Sequence, residues 1–254
     1  MKYKPAIAAL SFLLTAAVTS TIFAAEPVAA DADQALKAMS AKLASAKQFS
    51  FHVDREIDPA LLEGRNVPEK ARIDIRVSRP SRIAAHSVSR DGARRIVGDG
   101  QMLTVFDEKK NYYAQVAMRG SIDGLVDELE EKYGFVPPVA DFVISDPYAR
   151  IRQQASAITS LGREKISGVE CDRFLLKGKE ADAELWIAVT DQLPRKFVAT
   201  FPRRAGKPQL RMAFSNWNLA ASIAASDFSF SPPAGAQKIE MWTKAQMQAL
   251  AAKP

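Results

Sequence analysis

Segments in which apolar and polar residues alternate recur along most of this chain, and short turns separate them. The clearest lies between residues 71 and 80, and its apolar positions are Ala71, Ile73, Ile75 and Val77. Successive side chains of a strand point to opposite faces, so Arg79 belongs to the same row as these apolar residues. Pro80 has no N–H to donate and ends the strand. The pattern therefore predicts an apolar sheet face that ends at a cation, which favours a cavity mouth or a latch over a catalytic site.

Comparable alternation predicts further strands on both sides of this one. They cover residues 49–53, 83–89, 94–98, 102–106, 112–116, 157–166, 170–177, 183–189, 194–202 and 209–219. Short consecutive strands joined by polar turns are typical of an antiparallel meander. The segment 57–70 is longer than most hairpin loops. We therefore predict a mainly β (α+β) protein with a single antiparallel sheet.

Helical spacing of apolar residues interrupts this rhythm in a few places. Residues 31–47 predict a first helix, with Asp31 and Gln34 as a capping box. Residues 121–133 predict a second helix that the prolines at 137 and 138 stop, and 140–148 predict another helical piece. Residues 241–250 predict a terminal helix. We expect the helices of the middle segment to cover the concave side of the sheet.

The N-terminus carries the features of a secretory signal peptide. Lys2 and Lys4 precede an apolar run, and small residues follow at Ala24 and Ala25. We expect cleavage near Ala24 or Ala25, which gives a signal peptide at 1–25 and one domain at 26–254. Only one cysteine, Cys171, is present, so no intramolecular disulfide can form and no lipid-accepting cysteine follows the signal. No later segment has the length of a transmembrane helix, and we expect a monomer.

The residues that usually carry chemistry do not cluster in the sequence. His52 and His86 stand in separate strands, and no spacing typical of a metal site or a calcium loop is present. Neither a nucleophile elbow nor a phosphate-binding loop occurs. The formal net charge is +6, but basic and acidic residues are interspersed, which argues against nucleic-acid binding. We therefore expect no catalytic residue, no cofactor and no metal.

Three fragments in this order resemble the LolA/LolB-like periplasmic lipoprotein carriers. They are residues 77–83, which contain Arg79-Pro80, residues 98–107, and residues 228–235. Residues 140–148 are similar to those of an uncharacterised family of predicted periplasmic proteins that has the same fold. The resemblance implies a strongly curved sheet that forms an incomplete barrel. It also implies helices and an apolar cavity on the concave side, and a location in the periplasm.

The resemblance also implies which residues form a binding site. Arg79 matches the arginine of the carriers' Arg-Pro motif, where it holds a helical lid closed through backbone carbonyls. Its guanidinium could instead contact a ligand head group. The apolar residues that would line the cavity are Phe51, Ile73, Ile75, Val77, Leu103, Val105, Phe197, Phe201, Met212 and Phe214. The same residues would also be explained as ordinary core, because one face of such a sheet must be buried in any case.

Two functions of different classes fit these patterns. The first is a soluble periplasmic binding or carrier protein for an apolar or amphiphilic ligand, such as a lipid, an acyl chain or a lipoprotein anchor. The second is an envelope sensing module that recognises a partner protein through the 57–70 loop or an open sheet edge. A hydrolase would require a compact acid, base or nucleophile cluster, which the sequence does not indicate.

Overall fold

The computed structural model describes residues 28–62, 64–118 and 120–251. The predicted signal peptide at 1–25 lies outside the described residues. In the described part of the chain, no helix combines the length and apolar character that a bilayer crossing requires. No group of three or more histidine, cysteine or acidic side chains in this part could hold a metal ion.

Within the described residues, twelve strands form one open sheet. The strands are β1 (Gln48–Ile57), β2 (Glu69–Ser78), β3 (Arg82–Ser89), β4 (Gly92–Gly98), β5 (Met102–Asp107), β6 (Tyr112–Ala117), β7 (Ala155–Ile166), β8 (Val169–Gly178), β9 (Asp182–Ala188), β10 (Pro194–Thr200), β11 (Gln209–Asn218) and β12 (Gln237–Lys238). Their order across the sheet is β12-β6-β5-β4-β3-β2-β1-β11-β10-β9-β8-β7. All pairs are antiparallel except β12 with β6, which is parallel. The predicted sheet that does not close into a barrel is confirmed, whereas β12 was not predicted, because two residues are too short to show alternation.

In the part of the chain that the structure describes, five α-helices accompany the sheet. They are α1 (Ala30–Ser45), α2 (Ile122–Glu128), α3 (Ala140–Val143), α4 (Pro147–Gln154) and α5 (Lys244–Ala251), and the π-helical turn Leu129–Tyr133 extends α2. The Ser121 side chain caps α2 by accepting a hydrogen bond from the Gly124 N–H at 3.0 Å. Gly134 ends the π-helical turn with a φ of 66°. The prediction that Pro137 and Pro138 stop this helix was therefore wrong, since a left-handed glycine ends it first.

The predicted capping box of α1 was also wrong. Ala29 occupies the N-cap position and supplies no side-chain cap. The Asp31 carboxylate lies in the first turn and accepts the neighbouring Ala32 N–H at 2.9 Å. The Ala29 N–H instead donates to the Ile158 carbonyl of β7 at 3.1 Å. With this tertiary bond, α1 begins at Ala30, before the position that the capping signal at Asp31 predicts.

The apolar rows of the central strands face one side of the sheet and form the main core. From the helices, Leu36, Met39 and Leu43 of α1 and Phe142 of α3 pack on this face. From the sheet, the core takes Phe49, Phe51, Val53, Ala71, Ile73, Ile75, Val77, Phe174, Leu176, Leu185, Ile187, Met212 and Phe214. Burial of each large side chain contributes about 1.5–3 kcal/mol. The predicted position of the helices over the apolar face is therefore confirmed.

Residues 121–154, which we call the helical cover, connect β6 to β7. They contain α2, the π-helical turn, α3 and α4. A small apolar cluster of Val126, Ala140 and Ile144, with Val136 against it, joins these short helices to one another. Leu125 and Leu129 of the cover pack on Leu103 and Val116 in a second cluster over β5 and β6. The cover therefore spans both apolar clusters of this face.

Candidate functional site

Arg79 lies immediately after β2 and contacts the helical cover. Its Nη2 donates a hydrogen bond to the Ile144 carbonyl, just beyond α3, at 2.8 Å. Its guanidinium lies 5.3 Å from the centre of the Phe49 ring, which belongs to the apolar face. The Arg79 backbone N–H donates to the Lys47 carbonyl at 2.8 Å and fixes the chain at this point. The structure therefore places Arg79 on the apolar side of the sheet, as the alternation predicts.

The surroundings of Arg79 leave its guanidinium only partly satisfied. Within the described residues, its buried Nε has no hydrogen-bond partner. Burial lowers the pKa of the Arg79 guanidinium, and the negative charge of Asp123 partly offsets this effect. An arginine remains charged even so, so a cation with an unused donor lies between the sheet and the cover. Such a group can exchange its carbonyl partner for another acceptor.

The segment 140–148 carries most of the polar contacts that attach the cover. The Ser145 N–H donates to Asp123 of α2 at 2.9 Å, and the Ser145 hydroxyl donates to the same carboxylate. Asp146 caps α4 by accepting the Ala149 N–H at 3.0 Å. The same Asp146 oxygen accepts the hydroxyl of Ser40 in α1 at 3.2 Å. This segment therefore joins α2 and α4 to α1.

Tyr148 adds a second connection between α4 and α1. Its N–H donates to the Ser40 hydroxyl at 3.1 Å, and its own hydroxyl donates to Asp33 at 2.5 Å. Asp33 also forms an ion pair with Lys37 at 2.7 Å. The sequence shows Asp146 before Pro147, which is a signal for a helix start. That signal could have located the start of α4. The residues around α4 do not, however, indicate its hydrogen-bond partners in α1, which are distant in sequence.

An ion pair with the half-buried carboxylate of Asp141 holds α3 in place. Arg150 donates from Nε to Asp141 at 3.0 Å and from Nη2 to Glu130 at 3.0 Å. Burial raises the pKa of the Asp141 carboxyl above its usual range, although Arg150 acts in the opposite direction. Arg150 therefore joins the π-helical turn, α3 and α4.

We expect the Asp141→Asn variant to change how stability depends on pH. Because the folded Asp141 has a raised pKa, it binds its proton more tightly than the unfolded carboxyl does. Its contribution is therefore fully present below the unfolded pKa and declines as pH rises through the folded pKa. The wild type should gain stability relative to Asp141→Asn between about pH 7 and about pH 4. Urea unfolding of both proteins across this range measures the difference in unfolding free energy. A relative gain in wild-type stability as the pH rises would contradict the raised pKa of Asp141.

The structure divides the residues predicted to line a cavity into three groups. Those that meet in the main core are Phe51, Ile73, Ile75, Val77, Met212 and Phe214, with Phe197 packed against them. Leu103 and Val105 belong to the second cluster under α2. Phe201 lies beyond the end of β10, where Arg204 stacks on its ring at 5.2 Å. The first group packs directly against α1 and α3, so no wide space separates it from the helices.

One cavity between the cover and the sheet is too small for a lipid. A cavity of about 70 Å³ lies between α3, α4 and strands β8 to β10. Its lining includes Phe142 and Phe197, whose ring centres are 5.9 Å apart, together with Gly178 and Ala181 of the β8–β9 turn. Pockets for small molecules typically measure about 300–1,000 Å³. A larger apolar molecule therefore requires the cover to move away from the sheet.

A second arginine, which was not predicted, lies at the other end of the same apolar face. Arg55 occupies the β1 position opposite Ala71 and Met212. It forms an ion pair with Glu69, and its buried Nε has no partner within the described residues. Burial is the main cause that lowers the pKa of this guanidinium. The alternation of β1 contains the signal, since Arg55 continues the row of Phe49, Phe51 and Val53.

Solved structures of similar shape cover most of the chain. An uncharacterised conserved protein from Thermus thermophilus matches with a TM-score of 0.50 and 10% identity, over 83% of this chain and 99% of that one. MucB in the Pseudomonas aeruginosa MucA/MucB complex matches at 0.44 and 17%, over 80% and 62%. A LolA superfamily protein from Nitrosomonas europaea matches at 0.38 and 9%, over 78% and 96%. Among curated proteins, none matches this chain.

One sequence family covers the sheet, α1 and the helical cover together. Its description reads "Predicted periplasmic protein (DUF2092)", and the match extends over residues 32–242. The matched region contains Arg79 and the whole segment 140–148, so the site described above lies within it. The similarity that residues 140–148 indicate is therefore confirmed. The chain belongs to this family of predicted periplasmic proteins, DUF2092.

Proposed function

We propose that this protein binds an apolar or amphiphilic ligand, of the lipid or acyl-chain class, between the apolar sheet face and the helical cover. The observation that carries the proposal is the bond from Arg79 Nη2 to the Ile144 carbonyl. This side-chain bond joins the end of β2 to a cover that also meets the sheet through the backbone bond from the Ile122 N–H to the Pro80 carbonyl at 2.9 Å and through apolar side chains. Displacing the cover exposes an apolar surface and frees a cation in one step.

The chemistry of the exposed surface fits an amphiphile. The sheet face offers aromatic and aliphatic side chains, among them Phe51, Phe214 and Met212, which are buried at present. An acyl chain that replaced the cover on this face would recover the same burial of apolar area. The Arg79 guanidinium would then offer its donors to a carboxylate or phosphate group. The apolar chain of an amphiphile would therefore contact the sheet face, and its polar group would contact Arg79.

The direct test is native mass spectrometry of the protein purified gently from the periplasm. We expect a population with additional mass that organic solvent extracts as lipid, and we expect the stripped protein to bind 1-anilinonaphthalene-8-sulfonate. Added fatty acid should displace that probe. A protein that is free of ligand under every condition and does not bind the probe would exclude carriage.

The alternative function, recognition of a partner protein, is favoured by the free edge of the sheet. Among the described residues, no strand pairs with the outer side of β7, and Leu161 of that strand is 42% exposed. Unpaired edge strands can add a strand from another chain. Cross-linking in cells that captures a stoichiometric protein on β7, together with an empty apolar face, would favour this function over carriage.

A further inference from the structure

One end of the sheet carries a concentration of basic side chains. The register places the turns between β1 and β2, β3 and β4, β5 and β6, β8 and β9, and β10 and β11 at this end, because their strands pair there. The exposed cations of these turns, which we call the basic rim, are Arg90, Lys109, Lys110, Lys179, Arg203, Arg204 and Lys207. These positions lie far apart in sequence, so their common location is a product of the topology.

Contacts between neighbouring turns bring these positions together in space. Arg65 of the β1–β2 loop forms an ion pair with Asp91 of the β3–β4 turn. Asp58 of the same loop accepts the Gln209 N–H, at the end of the β10–β11 turn, at 2.6 Å. Gly92 lies close enough to the Lys109 side chain that an added Cβ would touch it at 3.0 Å. The central turns therefore form one connected surface.

The charge of this surface is predominantly positive. Several acidic side chains of the region are already paired with other bases, as Asp58–Arg211, Asp91–Arg65, Asp107–Arg94 and Glu108–Arg95. Within the described part of the chain, no rim cation forms a direct ion pair, although Asp91 lies near Arg90 and Lys109, and Asp107 near Lys110. Glu180 is adjacent to Lys179 in the sequence and offsets its charge. An outer-face groove beside the rim adds Arg72 and Lys196, while its Lys70 is paired with Glu56 at 3.1 Å and Asp54 also lines it. A positive surface of this extent attracts a polyanion.

Apolar groups stand among these charges. Phe201 is half-buried beneath Arg204 in the β10–β11 turn, and Val67 of the β1–β2 loop is 40% exposed. Basic side chains combined with exposed aromatic and aliphatic groups are typical of surfaces that rest on a bilayer. The cavity beneath the cover is also lined by Gly178 and Ala181, which flank Lys179 in the β8–β9 turn. This part of the cavity lining therefore lies at the same end of the sheet as the basic rim.

We propose that the basic rim docks this protein on the surface of an anionic phospholipid bilayer. Arg and Lys side chains would neutralise lipid phosphates, while Phe201 and Val67 would enter the interface. Docking in this way would turn the cavity between α3, α4 and β8–β10 toward the membrane. The docking itself does not depend on carriage of a ligand, whereas the purpose of that orientation rests on the proposed function.

Vesicle co-sedimentation tests the docking with a matched pair of variants. The rim variant combines Arg203→Gln, Arg204→Gln and Lys207→Gln. The control variant combines Lys42→Gln, Arg82→Gln and Lys165→Gln, which removes the same charge from exposed positions outside the rim. The probes are vesicles of phosphatidylcholine mixed with phosphatidylglycerol, and vesicles of pure phosphatidylcholine. Circular dichroism and thermal unfolding establish that both variants are folded.

We expect the wild type and the control variant to bind the mixed vesicles and to leave pure phosphatidylcholine vesicles unbound. The rim variant should lose about 100-fold in affinity, because each basic residue near an anionic surface contributes about a fivefold factor. Added salt should weaken wild-type binding. Equal losses in the two variants, or binding that ignores phosphatidylglycerol, would overturn the proposal. Binding to heparin or to an acidic protein without any binding to the mixed vesicles would also overturn it. Binding of 1-anilinonaphthalene-8-sulfonate by the rim variant reports separately on the proposed function.

Discussion

The Phe142→Ala variant is expected to lose about 3–5 kcal/mol of unfolding free energy. Phe142 is the aromatic anchor of the helical cover and is 1% exposed. Its ring meets Phe214 at 4.7 Å and Phe197 at 5.9 Å between ring centres. Truncation removes these contacts and enlarges the cavity of about 70 Å³ that Phe142 already lines. The variant should therefore be less stable and bind 1-anilinonaphthalene-8-sulfonate more tightly than the wild type.

Phe106→Ala provides the control for this prediction. Phe106 is 4% exposed but lies on the other face of the sheet, where its ring centre is 5.5 Å from that of Phe230. Urea unfolding should show a loss of stability in both variants, whereas tighter probe binding should occur only in Phe142→Ala. A loss below about 1 kcal/mol for Phe142→Ala would contradict the close packing of the cover on the sheet.

The Arg79→Leu variant is expected to fold but to release its helical cover more readily. The substitution removes a hydrogen bond from a charged donor, which contributes roughly 1.5–3 kcal/mol, and it leaves the Ile144 carbonyl without this partner. It also removes a buried cation whose Nε is unsatisfied, and this relief offsets part of the loss. We therefore expect a modest decrease in global stability. Amide exchange over residues 140–148 should accelerate by roughly tenfold or more.

Two companion variants separate the possible roles of Arg79. Arg76→Leu removes an exposed cation from the same strand and should change neither amide exchange nor probe binding. Arg79→Lys keeps the positive charge but lacks the planar guanidinium group, and it should accelerate amide exchange less than Arg79→Leu does. Hydrogen exchange measured by mass spectrometry resolves the segment 140–148. If Arg79→Leu fails to fold while Arg76→Leu folds normally, Arg79 is a structural residue and not a latch.

The sheet could be predicted in most of its detail because its information is local. Each strand between residues 48 and 117 carries its own alternation and its own turn, and each pairs with its sequence neighbour. Arg79 was predictable for the same reason, since it breaks a row that the strand itself defines. Arg55 was predictable on the same grounds, since it continues the apolar row of β1 in the way that Arg79 continues the row of β2.

The helical cover was predicted only in outline because its partners are distant. The sequence shows that 140–148 is helical in part, but it does not show that Ile144 meets Arg79 or that Tyr148 meets Asp33. The start of α1 was misplaced because a bond to Ile158 in β7 overrode the local capping signal. The residues predicted to line the cavity fall into separate groups in the structure. Alternation identifies a face of the sheet, but it does not reveal which helix lies over each position.

The connection of the helical cover has a mechanical consequence. The cover leaves β6, beside the short β12 at one border of the sheet, and joins β7, the outermost strand at the opposite border. The cover is therefore anchored to the sheet at both of its ends, and it cannot rotate away as a rigid body about a single hinge. Loss of the bond between Arg79 and Ile144 would loosen the middle of the cover, while its connections to β6 and β7 stay intact. A long molecule would then thread beneath it from one end of the sheet, parallel to the strands.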